Sequence, residues 1–326
     1  MSLVTFSRMH RPIFTLEIAG RRVRLGERTF VMGVLNVTPD SFSDGGLYLD
    51  AKSAIARGLQ MMRQGADWID VGGESTRPGS APVPAEVELA RVLPVIRGLN
   101  RRAPGLPISI DTTKAEVAEP AIEAGASIIN DVSGLRFDRE VAGVARRKRV
   151  PLVLMHLRGR PQTMQQRPFA RSIARSVGRG LGWSVRQALR RGVRRSQILI
   201  DPGLGFGKTR RQNFEIIATL GRLRRFGLPL LVGASRKSFI QAVAAGEGLD
   251  PASETARMGS PPGPWKLIKA GLPVDAEALR VVQTGDAAAV AAAIIAGAHV
   301  VRVHEVGAIM PAVRIADALL AARAGS

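Results

Sequence analysis

Polar residues able to bind anions, metal ions and hydrogen-bond donors stand where short apolar runs of this sequence end. Carboxylates accept paired N–H groups, carboxamides both donate and accept, and arginine and histidine attract phosphate oxygens. The sequence contains no cysteine, which excludes disulfides, thiolate metal ligands and cysteine nucleophiles. The residues that end the successive runs are Asn36, Gly72, Asp111, Asn130 with Asp131, His156, Asp201, Ser235, and Arg302 with His304.

The segments that contain these residues are too polar and too rich in turn residues to be core. They are 36–46, 70–79, 110–114, 129–134, 201–208, 233–238 and 302–304. Arg302 and His304 alternate with Val303, so on a strand they point to one side and can reach the same anion. An aspartate that ends a strand can instead cap the next helix, and a lone histidine in a strand is more often a packed core residue.

In their order along the chain, these segments resemble those of the dihydropteroate synthase family, over residues 30–306. The resemblance implies a transferase, EC 2.5.1.15, that joins 6-hydroxymethyl-7,8-dihydropterin diphosphate to the amine of 4-aminobenzoate and releases diphosphate. It also implies that Asp201 accepts hydrogen bonds from two pterin N–H groups and that Asp111 is a second acceptor. Asn130 is expected to face the ring edge that has both hydrogen-bond donors and acceptors. Lys237 is expected to donate to a ring carbonyl or nitrogen.

The resemblance further implies a dissociative reaction that needs no nucleophilic side chain. Asn36 is the expected ligand of Mg²⁺, and loops 36–46 and 73–79 are expected to close over the substrates as lids. The residues expected to be catalytic are Arg302, His304, Lys237 and Arg77. The residues expected to bind substrate are Phe42, Thr76, Arg77, Pro78, Asp111, Asn130, Met155, Asp201, Phe206, Gly233, Lys237, Ser238, Arg302 and His304.

Eight short apolar runs alternate with amphipathic stretches, a pattern typical of βα units and a parallel sheet. The runs are 30–35, 68–71, 108–110, 127–129, 151–155, 197–200, 228–232 and 299–303. Polar groups at every carboxyl end favour an α/β fold of the (β/α)₈ TIM-barrel type over a doubly wound open sheet. We predict one pterin-binding domain over 1–326, with an N-terminal β-hairpin extension (1–28) that closes the barrel floor and an insertion (246–286) between strands 7 and 8.

The formal charge of +20 indicates affinity for anions. Arginines are spread along the predicted helices and aromatic residues make up 4% of the chain, so we interpret the denser stretch 167–195 as a solvated outer face and expect no nucleic-acid partner. No run approaches the length of a membrane span, and arginines interrupt the amino terminus too often for a secretory signal. The expectation is a cytoplasmic protein with small-molecule substrates, no membrane partner and the homodimeric state of the family.

Two other interpretations stay open at this point. A pterin-dependent methyltransferase barrel shares the pterin residues but gives no reason for the segments 75–78 and 235–238. A non-catalytic basic paralogue that binds nucleic acid would explain the charge, and its binding would fall steeply with salt.

Overall fold

Eight parallel strands form a barrel in this computed structural model, which describes residues 11–38, 47–76, 80–160, 162–165, 170–246, 248–249 and 276–324. Consecutive strands pair side by side, β10 pairs with both β3 and β9, and a parallel bridge between Ile200 and Leu230 joins the two ends of the sheet. The barrel strands are β3 (Phe30–Asn36), β4 (Trp68–Gly72), β5 (Ile108–Asp111), β6 (Ile128–Asp131), β7 (Leu152–Met155), β8 (Ile198–Asp201), β9 (Leu231–Val232) and β10 (Val300–Val303). The predicted barrel is confirmed.

Helices cover the outside of the barrel. They are α1 (Leu47–Arg63), α2 (Ala85–Arg102), α3 (Ala115–Glu123), α4 (Glu140–Lys148), α5 (Ile173–Arg190), α6 (Arg210–Ala218), α7 (Ser238–Ala244), α8 (Ala276–Ile295) and α9 (Val306–Ala324). Residues 210–226 form two elements, α6 and a 3₁₀ helix, Leu220–Phe226. Thr209 and Gln212 cap α6 reciprocally, which sets the start of this helix.

Helix α8 begins within the predicted insertion. Residues 276–286 of the predicted excursion 246–286 are its first half, and residues 250–275 lie outside the described part of the chain. By length and composition α8 is apolar enough to cross a membrane. Its buried face carries Asp286 together with Val290 and Ile294, as expected for a helix that packs on a barrel.

Apolar side chains that point inward from seven of the eight barrel strands fill the lower half of the barrel. Met32, Trp68, Ile128, Val153, Leu199, Leu231 and Val300 form one buried cluster with Leu16, Ile18 and Leu25 of the hairpin β1 (Phe14–Ile18) and β2 (Arg21–Leu25). The hairpin therefore closes the floor, as predicted. Two residues further along each strand, the inward position is polar on β4, β6, β8 and β10, so the same alternation that packs the floor builds a polar mouth.

Candidate active site

The guanidinium of Arg302 connects three other strands at the mouth. Arg302 follows the inward-facing Val300 by two residues, so it also turns inward. Its Nε donates to Asp70 Oδ2 at 2.6 Å and its Nη2 donates to Asp111 Oδ2 at 2.8 Å. Asn130 Nδ2 donates to the same Asp70 oxygen at 2.9 Å. One hydrogen-bonded group thus joins β4, β5, β6 and β10.

Burial and mutual attraction set the charges of this group. Burial raises the pKa of Asp111 to about 8, with Arg302 opposing the rise and Asp70 adding to it. Burial also disfavours the Arg302 cation, but the two carboxylates outweigh that effect and raise its pKa. Within the described chain, Oδ1 of Asp70 and Oδ1 of Asp111 are buried and have no hydrogen-bond partner. A ligand N–H or a cation would satisfy them.

Asp201 ends β8 and opens a glycine-rich loop. Its Oδ1 accepts the N–H of Gly203 at 2.6 Å, which holds the carboxylate in one orientation. Gly203 has φ +67°, and a Cβ there would overlap the carbonyl oxygen of His156, so the turn requires glycine. Burial raises the pKa of Asp201 to about 6, opposed by the Gly203 N–H and by Lys237. At neutral pH the carboxylate is ionised and able to accept paired N–H groups.

Lys208 is buried behind this loop and forms hydrogen bonds with its backbone. Its Nζ donates to the carbonyls of Gly203 at 2.6 Å, Phe206 at 3.0 Å and His156 at 3.2 Å. Burial lowers the pKa of Lys208 well below its ordinary value, although three carbonyl acceptors match the three donors of an ammonium group. The Lys208 amino group therefore fixes the loop conformation that presents Phe206 at the mouth.

Lys237 and Phe206 are in contact with each other at the mouth. The Nζ of Lys237 lies 4.4 Å from the centre of the Phe206 ring, a cation–π distance. Phe206 packs against a small buried cluster that includes Met155. Ser238 is exposed at the start of α7, and a Cβ added to Gly233 would lie 3.9 Å from the Cβ of the β10 arginine. These predicted substrate-binding residues lie around one opening.

A chain of hydrogen bonds links His304 to a buried carboxylate on α8. Ser235 Oγ donates to Asp286 Oδ2 at 3.1 Å and lies 3.3 Å from both the backbone N and the Nδ1 of His304. Arg236 adopts φ +59°, and its N–H donates to Asp286 while its guanidinium pairs with Glu305. The contacts with Asp286 and Glu305 thus hold the backbone of Arg236 in the left-handed region. This conformation sets the direction of the next residue, Lys237.

Asn36 and Asp111 flank Gly72 from the neighbouring strands β3 and β5. A Cβ at Gly72 would lie 3.8 Å from Asn36 Oδ1 and 3.7 Å from Asp111 Oδ2, so both oxygens border the same glycine. The described residues contain no cluster of three histidine or carboxylate side chains suited to a metal ion. Asp111 Oδ2 already accepts Arg302 Nη2. The carboxamide oxygen of Asn36 is a hard donor and suits a cation that also takes ligands from a substrate.

The loop after β4 is anchored by a buried ion cluster. Lys114 Nζ donates to Glu74 Oε2 and to Glu88 Oε2, each at 2.5 Å, and Glu88 is fully buried. Glu74 Oε1 also accepts the N–H of Val83, so it connects both ends of the loop that carries the half-buried Thr76. The predicted residues Phe42, Arg77 and Pro78 lie outside the described part of the chain.

The two other barrel histidines face away from the mouth. The ring of His156 lies against α5, since a Cβ at Gly180 would overlap its Cδ2, and burial lowers its pKa to about 2. His299 Nδ1 accepts the N–H of Leu230 at 3.1 Å, while Nε2 lies 3.0 Å from the carbonyl of Pro12. Both contacts are those of a packed core histidine.

Several residues that hold the site together were not among the predicted catalytic or binding residues, among them Asp70, Lys208 and Asp286. Asp70 could have been found, because it alternates with the large apolar Trp68 and therefore shares its inward face. Lys208 closes the glycine-rich segment, where a loop lysine ordinarily indicates solvent exposure. Asp286 lies about 50 residues from Ser235 in sequence, and only the packing of α8 brings them together.

Comparisons with known proteins give a consistent result. The model of the pterin binding enzyme family matches residues 32–304. Dihydropteroate synthase of Synechocystis is 42% identical over 90% of this chain and 91% of its own length. Dihydropteroate synthase of Escherichia coli is 38% identical over 90% of this chain and 92% of its own.

Solved structures agree in fold. Xanthomonas albilineans dihydropteroate synthase with 4-aminobenzoic acid superposes with a TM-score of 0.78 at 38% identity, covering 95% of this chain and 99% of the other. The same enzyme in complex with 7,8-dihydropteroate gives a TM-score of 0.74 at 36% identity, with 94% and 99% covered.

Proposed function

The chain belongs to the dihydropteroate synthase family, and from this we propose how its own mouth residues bind and condense a pterin diphosphate and 4-aminobenzoate. The activity itself, a transferase reaction that yields 7,8-dihydropteroate and diphosphate, follows from the family. The observation that carries the assignment of residues is the group formed by Arg302, Asp70, Asp111 and Asn130. It places donors and acceptors from four strands around one opening.

The pterin is held by hydrogen bonds at the inner wall. Asp201 accepts hydrogen bonds from the exocyclic amine and the neighbouring ring N–H of the pterin. Asn130 and Asp111 form hydrogen bonds with its remaining donors and acceptors. Lys237 donates to the ring carbonyl or a ring nitrogen. Asp70 and Asp111 hold the guanidinium of Arg302 in position, and this planar cation can lie against the ring and the adjoining phosphate.

The reaction proceeds by departure of diphosphate before attack. The C–O bond to diphosphate breaks with its electron pair on the leaving oxygen, the electron-rich pterin shares the positive charge of the methylene, and the aniline nitrogen then forms the new C–N bond and loses a proton. Arg302 and His304 stabilise the negative charge that develops on the leaving group, and we assign Arg77 the same task. Phe206, Pro78, Phe42 and Ser238 border the aminobenzoate, and Thr76 and Arg77 belong to a closing loop that excludes water.

Mg²⁺ fits the carboxamide oxygen of Asn36 beside Gly72. Asn36 would hold it together with substrate phosphate oxygens, and the bound ion would neutralise charge on the leaving diphosphate. We also assign this protein a cytoplasmic location, a homodimeric state, and partners limited to its small-molecule substrates.

The assay is diphosphate release from the pterin substrate, with and without 4-aminobenzoate and Mg²⁺. We expect release that depends on both, and loss of pterin binding in Asp201→Asn. No release from the parent protein, or unchanged pterin affinity in Asp201→Asn, would refute the assignment. Transfer of a labelled methyl group from methyl-tetrahydrofolate would instead identify a methyltransferase.

A further inference from the structure

Nearly all of the net positive charge of this chain lies in one sector of the barrel. Residues 1–140 contain 17 Lys and Arg and 17 Asp and Glu, so their net charge is zero. Residues 141–226 contain 21 Lys and Arg and two Asp and Glu, a net charge of +19 out of +20. Arginine is common along the whole chain, but residues 1–140 contain as many acidic as basic residues, whereas residues 141–226 contain almost no acidic ones. The segregation therefore indicates a local electrostatic purpose.

Part of this sector forms a groove in the outer wall, between α5 and the 3₁₀ helix Leu220–Phe226. The groove has a volume of about 770 Å³. Its cations come from both walls: Arg175, Arg179 and Arg186 from α5, and Arg222 and Arg225 from the facing segment. None of the residues that line it is acidic, and in the described chain none of the five arginines forms an ion pair.

Two glycines of α5 shape the groove. A Cβ at Gly178 would overlap the guanidinium of Arg225, so glycine lets that cation lie directly against the helix. One turn later, a Cβ at Gly182 would lie 3.4 Å from Arg186 Nη1 and 3.7 Å from the ring of Phe226. The half-buried Phe226 thus borders the cations with an aromatic ring.

Five arginines without counter-charges repel one another, and a bound polyanion would relieve that repulsion. Arginine forks match phosphate oxygens in two-pronged hydrogen bonds, and cations on both walls favour several phosphates in succession. The volume lies in the range of about 300–1,000 Å³ found for small-molecule sites. Phe226 and Trp183 border the groove with aromatic rings. Each ring already has a guanidinium nearby, with Arg225 5.5 Å from the centre of Phe226 and Arg136 5.2 Å from the centre of Trp183.

We propose that this groove binds a nucleoside triphosphate, with its phosphates among the five arginines and its base beside Phe226 and Trp183. The site is separate from the mouth, because its residues lie on the outer helices, whereas the mouth residues project from the strand ends. The proposal does not depend on the assignment of substrate roles at the mouth.

Isothermal titration of the full chain with ATP tests the proposal, with the double variant Arg179→Ala/Arg222→Ala beside the parent. The matched control is Arg101→Ala/Arg102→Ala, which removes the same charge from an exposed part of α2 on another face. We expect the groove variant to lose about tenfold or more in affinity, since charged hydrogen bonds are removed. We expect the control to lose less than about threefold through the long-range field alone.

Inorganic tripolyphosphate and a single-stranded oligonucleotide serve as the other probes. ATP should bind more tightly than tripolyphosphate, because only ATP has a base to place on the aromatic side chains. The proposal is wrong if ATP shows no binding up to about 1 mM at low salt, or if both double variants weaken it equally. It is equally wrong if the groove variant keeps the parent affinity, or if the oligonucleotide binds much more tightly than ATP.

Discussion

Replacing Asp70 with asparagine removes one charge from the centre of the mouth and changes almost no volume. Asp70 Oδ2 accepts Arg302 Nε at 2.6 Å and Asn130 Nδ2 at 2.9 Å, and the residue is fully buried. In Asp70→Asn the amide oxygen can replace one acceptor, but its NH₂ group then occupies the position of Oδ1, which has no partner in the described chain. The variant therefore combines a weakened charged hydrogen bond with a buried unsatisfied donor.

These two effects together predict a loss of about 2–4 kcal/mol in the free energy of unfolding. Arg302 would keep Asp111 as its remaining partner and would move toward it. A displacement of a catalytic group by about 1 Å costs on the order of 100-fold in rate, so kcat/KM for the pterin substrate should fall by that order. Because the Asp70 carboxylate helps to raise the pKa of Asp111, that pKa should decrease in the variant.

Denaturant unfolding measures the first effect, and steady-state diphosphate release measures the second. Glu116→Gln is the matched control, since Glu116 is an exposed carboxylate on α3, and it should change neither quantity appreciably. If Asp70→Asn keeps kcat/KM within about threefold and stability within about 1 kcal/mol of the parent, then Asp70 does not hold Arg302 in place, and the account of the mouth is wrong.

Three further predictions follow from buried charges. Lys208→Met should lower the free energy of unfolding by about 3 kcal/mol by leaving three carbonyls unsatisfied, and it should raise KM for 4-aminobenzoate by loosening the loop around Phe206; an unchanged KM and unfolding midpoint would contradict it. Asp286→Asn should weaken diphosphate inhibition and shift the pH profile of kcat/KM by removing the carboxylate behind His304, whereas a purely structural role would lower stability and leave the pH profile unchanged. Burial raises the folded-state pKa of Asp111 to about 8 and of Asp286 to about 6, so the folded chain binds these protons more tightly than the unfolded chain does, and thermal unfolding midpoints of the ligand-free protein should fall as pH rises from 5 toward 8.

The order of the elements and the inward face of each strand were present in the sequence. Apolar, β-branched runs ending in polar residues predicted all eight strands to within about three residues at each end, and alternation along β10 predicted that Arg302 and His304 share a side. These features are local, since the period of a strand decides which side chains face the core. For the same reason the hairpin and most helices were predictable.

The partners of each polar group were decided only by the tertiary structure. Arg302 and Asp70 are 232 residues apart in sequence, and their contact depends on barrel closure, which no local pattern encodes. The same holds for Asp286, which reaches Ser235 only because α8 packs against α7, and for the arginines of α5 and the facing 3₁₀ helix, which form a groove only when packed together. The sequence by itself determined which residues could do the chemistry; the fold determined which buried charges hold them in place.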